Sequence, residues 1–69
     1  MPEDLFLTIE EWNQAGNLVR VIARTDNRLV ALAAFQAACE VYPEAHIRLC
    51  NRALILEERN PWAAAKPKR

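Results

Sequence analysis

The stretch that decides the fold runs from Leu18 to Leu56 and reads LVRVIARTDNRLVALAAFQAACEVYPEAHIRLCNRALIL. Its first seven residues alternate between two faces, as β-strands do. The triplet Thr25-Asp26-Asn27 follows, and each of its side chains can accept a hydrogen bond from the free amides of a first helical turn. The segment from Arg28 to Tyr42 contains no glycine or proline, and Pro43 ends it. The stretch therefore predicts a strand, a helix and a second strand in succession.

A further strand precedes this unit. Residues 5–12 alternate with period two, and a turn at residues 13–17, which holds the chain's only glycine, joins them to Leu18. In a hairpin closed by this five-residue turn, Glu10 lies opposite Arg20 and Ile9 lies opposite Val21. That register places Ile22 on the face that the helix does not cover.

A second hairpin follows the helix. The runs 46–50 and 53–58 alternate, and Asn51 between them tolerates the left-handed conformation that a two-residue turn requires. The predicted register sets Leu49 opposite Leu54 on the core side. It sets His46 opposite Glu57 on the outer side.

The helix carries one wide apolar arc, which predicts the side that lies against the sheet. Gln36 and Glu40 mark the solvent side, and Leu29 and Leu32 flank the polar stripe. The members of the arc are Val30, Ala31, Ala34, Phe35, Ala37, Ala38, Val41 and Tyr42.

The fold class that results is α+β: a two-layer ββαββ domain with a four-stranded, mainly antiparallel sheet and one helix packed on one face. The third strand can lie beside the second, through a right-handed crossover, or beside the first, and the sequence leaves both orders open. We expect a single domain over residues 1–59 and a flexible basic C-terminal tail over residues 60–69.

Composition limits the classes of partner. The chain has 69 residues and zero net charge, but residues 1–59 hold nine acidic side chains and six arginines, and three basic residues follow. A domain with this mild acidic excess lacks the concentrated basic face of most nucleic-acid binders. No apolar run reaches the roughly 20 residues of a membrane span, and the acidic N-terminus does not resemble a signal peptide. We therefore expect a cytoplasmic protein, no membrane partner and two reduced cysteines.

No set of residues predicts catalysis. The chain has no serine and one histidine, and His46 and Cys50 would lie ~13 Å apart along a strand. Cys39 belongs to the helix and cannot meet them around one metal ion. A glycine-rich phosphate loop is excluded by the single glycine. We expect no enzyme activity, no cofactor, no metal and no small-molecule ligand.

The open face of the sheet is the predicted functional surface. Apolar and aromatic side chains alternate there with arginines, which is typical of a protein-binding surface. The predicted interaction face comprises Phe6, Trp12, Leu18, Arg20, Ile22, Arg24, Arg48 and Ile55. The leading hypothesis is a non-catalytic module that binds a protein partner or a second copy of itself, as in a homodimer, through this face or a strand edge. The alternative is weak binding of single-stranded nucleic acid through the arginines, the aromatic rings and the basic tail.

The chain also resembles a group of short, stand-alone bacterial ββαββ proteins. The matching stretches are Ala23-Arg24-Thr25-Asp26-Asn27, Leu29 to Phe35, Tyr42-Pro43 and Ile47 to Ile55. Together the resemblance covers about residues 5–58, and its motifs are structural ones. It implies the fold and no particular activity.

Overall fold

The computed structural model describes residues 6–62, which form four strands and one helix. The elements are β1 (Leu7–Trp12), β2 (Leu18–Thr25), α1 (Arg28–Val41), β3 (His46–Asn51) and β4 (Leu54–Arg59). The strands form one sheet in the order β2-β1-β3-β4, with every neighbouring pair antiparallel. The predicted α+β class is confirmed, and β3 lies beside β1. Most of the predicted tail, residues 63–69, lies outside the described residues.

Helix α1 begins and ends where its sequence signals predict. The Asn27 side-chain oxygen accepts a hydrogen bond of 3.0 Å from the amide of Val30. At the other end, the amide of Tyr42 donates to the Ala38 carbonyl at 2.8 Å, and Pro43 follows. The capping residue and the proline thus fix both ends of α1.

The core lies between α1 and the two central strands. Its largest fully buried side chains are Ile9, Ile47 and Leu49, and the small Ala31 and Ala38 let α1 approach them closely. The predicted helix arc is wrong on one side, since Val30, Ala37 and Val41 are exposed. Leu32 and Cys39, which lie outside the predicted arc, pack against the core instead. The apolar arc is wider than the sheet can cover, and its pattern does not show which part the sheet selects.

The first hairpin differs from its predicted register because β2 contains two irregularities. Trp12 lies opposite Leu18 as expected, but Arg20 pairs with Glu11 and Val21 with Glu10. Val19 and Ile22 are the additional residues at the two register shifts. Each extra residue reverses the in-and-out alternation of the strand. Ile22 consequently packs against the core, and the predicted Glu10–Arg20 pair is wrong.

The second hairpin is also shifted. Asn51 pairs with Leu54, so the turn falls on Arg52 and Ala53, and Arg52 takes the left-handed conformation with φ of 59°. The predicted pairs of Leu49 with Leu54 and of His46 with Glu57 are therefore wrong. Alternation cannot locate the turn here because no glycine marks the left-handed residue. A register shift at Leu56 still lets that side chain pack against the core.

Candidate functional site

The outer face of the sheet, away from α1, has a hydrogen-bonded centre. The Glu10 carboxylate accepts hydrogen bonds from the Thr8 hydroxyl at 2.7 Å and from the Trp12 indole N–H at 3.0 Å. The Cys50 thiol also donates to it, at 3.6 Å. A buried or half-buried carboxylate with three donors needs no external partner.

A second polar group adjoins the first. The Arg48 guanidinium lies 4.4 Å from the centroid of the Trp12 ring, and its Nε donates to Glu58 at 3.0 Å. His46 also hydrogen-bonds to Glu58. The bond from His46, and then that from Arg48, lower the pKa of the Glu58 carboxyl below its ordinary value. The ring of Trp62 meets His46 edge-on at 5.8 Å, and His46 is buried.

The two thiols are poor nucleophiles. Burial, followed by the charge of Glu10, raises the pKa of Cys50 to about 11. Burial also raises the pKa of Cys39. A thiol reacts as its thiolate, so neither residue is activated at neutral pH. Within residues 6–62, no three histidine, cysteine or acidic side chains lie close enough together to hold a metal ion.

The structure brings six of the eight residues of the predicted interaction face together. Pairing in the ladder puts Leu18 beside Trp12, Arg24 beside Thr8 and Ile55 beside Cys50, all on the outer face. Strand pairing places Trp12, Leu18, Arg24, Arg48 and Ile55 there, and alternation adds Phe6, which precedes the core residue Leu7. On this face, half-exposed apolar side chains surround the polar groups centred on Glu10 and Glu58.

The prediction that Arg20 and Ile22 belong to the interaction face is wrong. The Arg20 side chain lies on the helix side, where its Nε donates to Glu11 at 2.8 Å and its guanidinium lies 4.7 Å from the centroid of the Tyr42 ring. Ile22 packs against the core. The β2 register shifts account for both, because they reverse the alternation on which the prediction rested.

A different exposed apolar area lies along the free edge of the sheet, where β2 and α1 meet. We call it the β2–α1 surface. Around the helix axis, Val41 lies about 100° from Tyr42, on the side away from Cys39. The Tyr42 ring contacts Arg20 of β2, so this side of α1 faces the β2 edge. Val30, three turns earlier, lies on the same flank. The surface consists of Val19 from β2 and of Val30 and Val41 from α1, which are 51–65% exposed. Leu18 and Val21 are also exposed, but they pair with Trp12 and Glu10 and so lie on the outer face.

A cavity of about 410 Å³ lies at the end of the sheet where β1 and β4 end and β3 begins. Sequence reasoning did not find it, because its walls come from four separated segments. The wall contains three aromatic side chains, Trp12, Tyr42 and Trp62, from three of these segments. Glu11 and Glu44 also line it, together with Asn13, Val19, Pro43 and Ala45. The sequence signal that could have found it is that one tryptophan ends β1 and the other follows shortly after β4.

No protein-family model, curated protein or solved structure matches this chain. The described helix is too short to cross a lipid bilayer. The properties of the surfaces themselves are therefore the basis for a functional conclusion.

Proposed function

We propose that this protein is a non-catalytic interaction module that binds a second copy of itself through the β2–α1 surface. One observation carries the proposal. The described residues bury only three large side chains fully, Ile9, Ile47 and Leu49, and expose nine large apolar ones. Three of those nine, Val19, Val30 and Val41, form the β2–α1 surface. A small domain gains stability when a partner covers such an area.

A second copy suits this surface because its members are apolar and the neighbouring Arg20 is already paired with Glu11. A two-fold interface brings the same patch together with itself, so it must be complementary to its own copy. An apolar patch meets this requirement, whereas a patch with charges of one sign repels its copy. The exposed Ala33 and Ala37 lie between Val30 and Val41 on α1. Small side chains at this spacing allow two helices to pack closely.

The two edges of the sheet do not favour association by strand addition. The register of β2 shifts at two places and that of β4 at one. Irregularities of this kind interrupt the row of backbone groups that an incoming strand would need. We therefore propose association by side-chain packing rather than by extension of the sheet.

Three single substitutions at exposed apolar positions test the proposal. Val30→Glu and Val41→Glu place a charge within the surface, and both positions are more than half exposed. Each should leave the fold intact and convert a dimer into a monomer in size-exclusion chromatography with light scattering. Leu54→Glu is the matched control, because Leu54 is 63% exposed on the opposite edge. A wild-type monomer at high concentration, or equal effects of all three substitutions, would contradict the proposal.

Binding of single-stranded nucleic acid is the alternative that the sequence raised. Phe6 and Arg24 are exposed, as that function would need. Arg20 and Arg48, however, are hydrogen-bonded to Glu11 and Glu58, which a phosphate would have to displace. Fluorescence anisotropy with a labelled oligonucleotide tests this alternative. A salt-sensitive rise in anisotropy would favour it over self-association.

A further inference from the structure

We infer that the cavity at the end of the sheet binds a small organic cation, of the alkylammonium class, between aromatic rings. This goes beyond the proposed self-association and does not depend on it, although Val19 belongs both to the cavity lining and to the β2–α1 surface. The volume of about 410 Å³ is within the range of small-molecule sites. The rings of Trp12, Tyr42 and Trp62 line the cavity. The face of an aromatic ring attracts a cation, and the attraction is stronger when the cation is desolvated.

The charges of the lining favour a cation over an anion. Glu11 and Glu44 line the cavity, and no arginine or lysine does so among the described residues. Arg20 neutralises part of the charge of Glu11, at 2.8 Å, from outside the lining. Glu44 lies in the exposed turn between α1 and β3, so it is the carboxylate that is placed to meet a bound ammonium group.

The rings already show that they accept cations. Arg20 lies over Tyr42 at 4.7 Å and Arg48 lies over Trp12 at 4.4 Å. Neither arginine lines the cavity, whereas both rings do. The inferred ligand would contact the parts of these rings that the arginines do not cover.

The third ring is held in place by its neighbours. The amide of Trp62 donates to the Asn60 side-chain oxygen at 3.0 Å, which closes a local turn after β4. The Trp62 ring meets His46 edge-on at 5.8 Å. Two contacts within the chain thus hold Trp62 in position, which limits the conformational entropy that the cavity loses on binding a ligand.

Choline and its uncharged isostere 3,3-dimethyl-1-butanol separate cation binding from ordinary apolar binding. The full chain is titrated with each at constant ionic strength, and the indole N–H signals of Trp12 and Trp62 are followed by NMR. Choline should shift both signals saturably, and the isostere should bind about 5-fold to 30-fold more weakly. Equal binding of the two, or no saturable shift with choline at millimolar concentrations, would overturn the inference.

Variants locate the site and separate it from self-association. Glu44→Gln should weaken choline binding several-fold and leave binding of the isostere unchanged, whereas Glu57→Gln on β4 should change neither. Trp62→Leu should abolish binding, and its unchanged affinity would refute the site. The titration is repeated with Val30→Glu. Choline binding should persist in that variant whether or not the wild type dimerises, so the two proposals can fail separately.

Discussion

Single residues stabilise this small domain through contacts that join distant parts of the chain. Arg59 is the clearest case. Its guanidinium donates to the carbonyls of Cys39, Tyr42 and Ala45 at 3.3, 2.7 and 2.8 Å. The last turn of α1 contains no basic residue of its own. Arg59 of β4 therefore supplies the positive charge and the donors that the C-terminal end of a helix lacks.

Replacing Arg59 by Met should lower the free energy of unfolding by about 2–4 kcal/mol, since it removes three hydrogen bonds to carbonyls. Among the described residues, only the Tyr42 carbonyl keeps another donor, the Ala45 amide. Arg59→Lys should recover only part of this loss, because an ammonium group lacks the planar fork that reaches several acceptors. Urea denaturation measures both changes. Arg24→Met, at an exposed position on β2, is the control. A loss in Arg59→Met no larger than in the control would show that the cap is not needed.

The lowered pKa of Glu58 predicts how the stability of the fold depends on pH. Its pKa is lowered in the folded protein by hydrogen bonds from His46 and Arg48. The folded state therefore binds this proton less readily than the unfolded state. The stabilisation is present above the unfolded-state pKa, near 4.5, and is lost as the pH falls through the lower folded value.

Wild type should consequently lose more stability than Glu58→Gln when the pH is lowered from about 5 to about 3. Thermal unfolding across this range, followed by circular dichroism, measures the difference. Glu57→Gln, one residue away, should follow the wild type. Parallel curves for wild type and Glu58→Gln would mean that the Glu58 contacts do not form in solution.

Elements of secondary structure were predictable where the chain carries local signals, and their register was not. Asn27 and Pro43 fix the ends of α1, and the alternating runs locate all four strands. The shifts at Val19, Ile22 and Leu56 have no such signal, because a β-bulge forms from strand twist and packing rather than from one residue type. The predicted outer face failed at Arg20 and Ile22 for this reason. The cavity and the Arg59 cap join residues far apart in sequence, so local patterns do not reveal them.

The rotation of α1 can be tested with two leucines that the sequence treats alike. Leu29 and Leu32 both flank the polar stripe, but Leu32 packs against the core and Leu29 is 77% exposed. Leu32→Ala should cost about 2–3 kcal/mol as a core truncation. Leu29→Ala should stay within about 0.5 kcal/mol of wild type.

Phe35→Ala is a second test of the rotation of α1, since Phe35 also packs against the core. It should cost about 3 kcal/mol. Denaturant unfolding of the three variants provides the comparison. Equal losses in the two leucine variants would place α1 in a different rotation and would expose a different surface for association.

At the scale of the whole molecule, one layer of helix covers one face of a four-stranded sheet and leaves apolar side chains on the flank. The outer face is largely satisfied by its own hydrogen bonds, around Glu10 and Glu58. On the flank formed by β2 and α1, the exposed Val19, Val30 and Val41 lie beside a single ion pair, Arg20–Glu11, among the described residues. Association through this flank would extend the small core across two chains, which is how minimal domains commonly gain stability.

An isotope-filtered NOE experiment on a mixture of labelled and unlabelled chains tests this account most directly. It detects only contacts between two copies. We predict intermolecular NOEs from the methyl groups of Val30 and Val41 to the same surface of the partner. No intermolecular NOEs at millimolar concentration, or NOEs confined to Leu54 and Ile55 on the opposite edge, would contradict it.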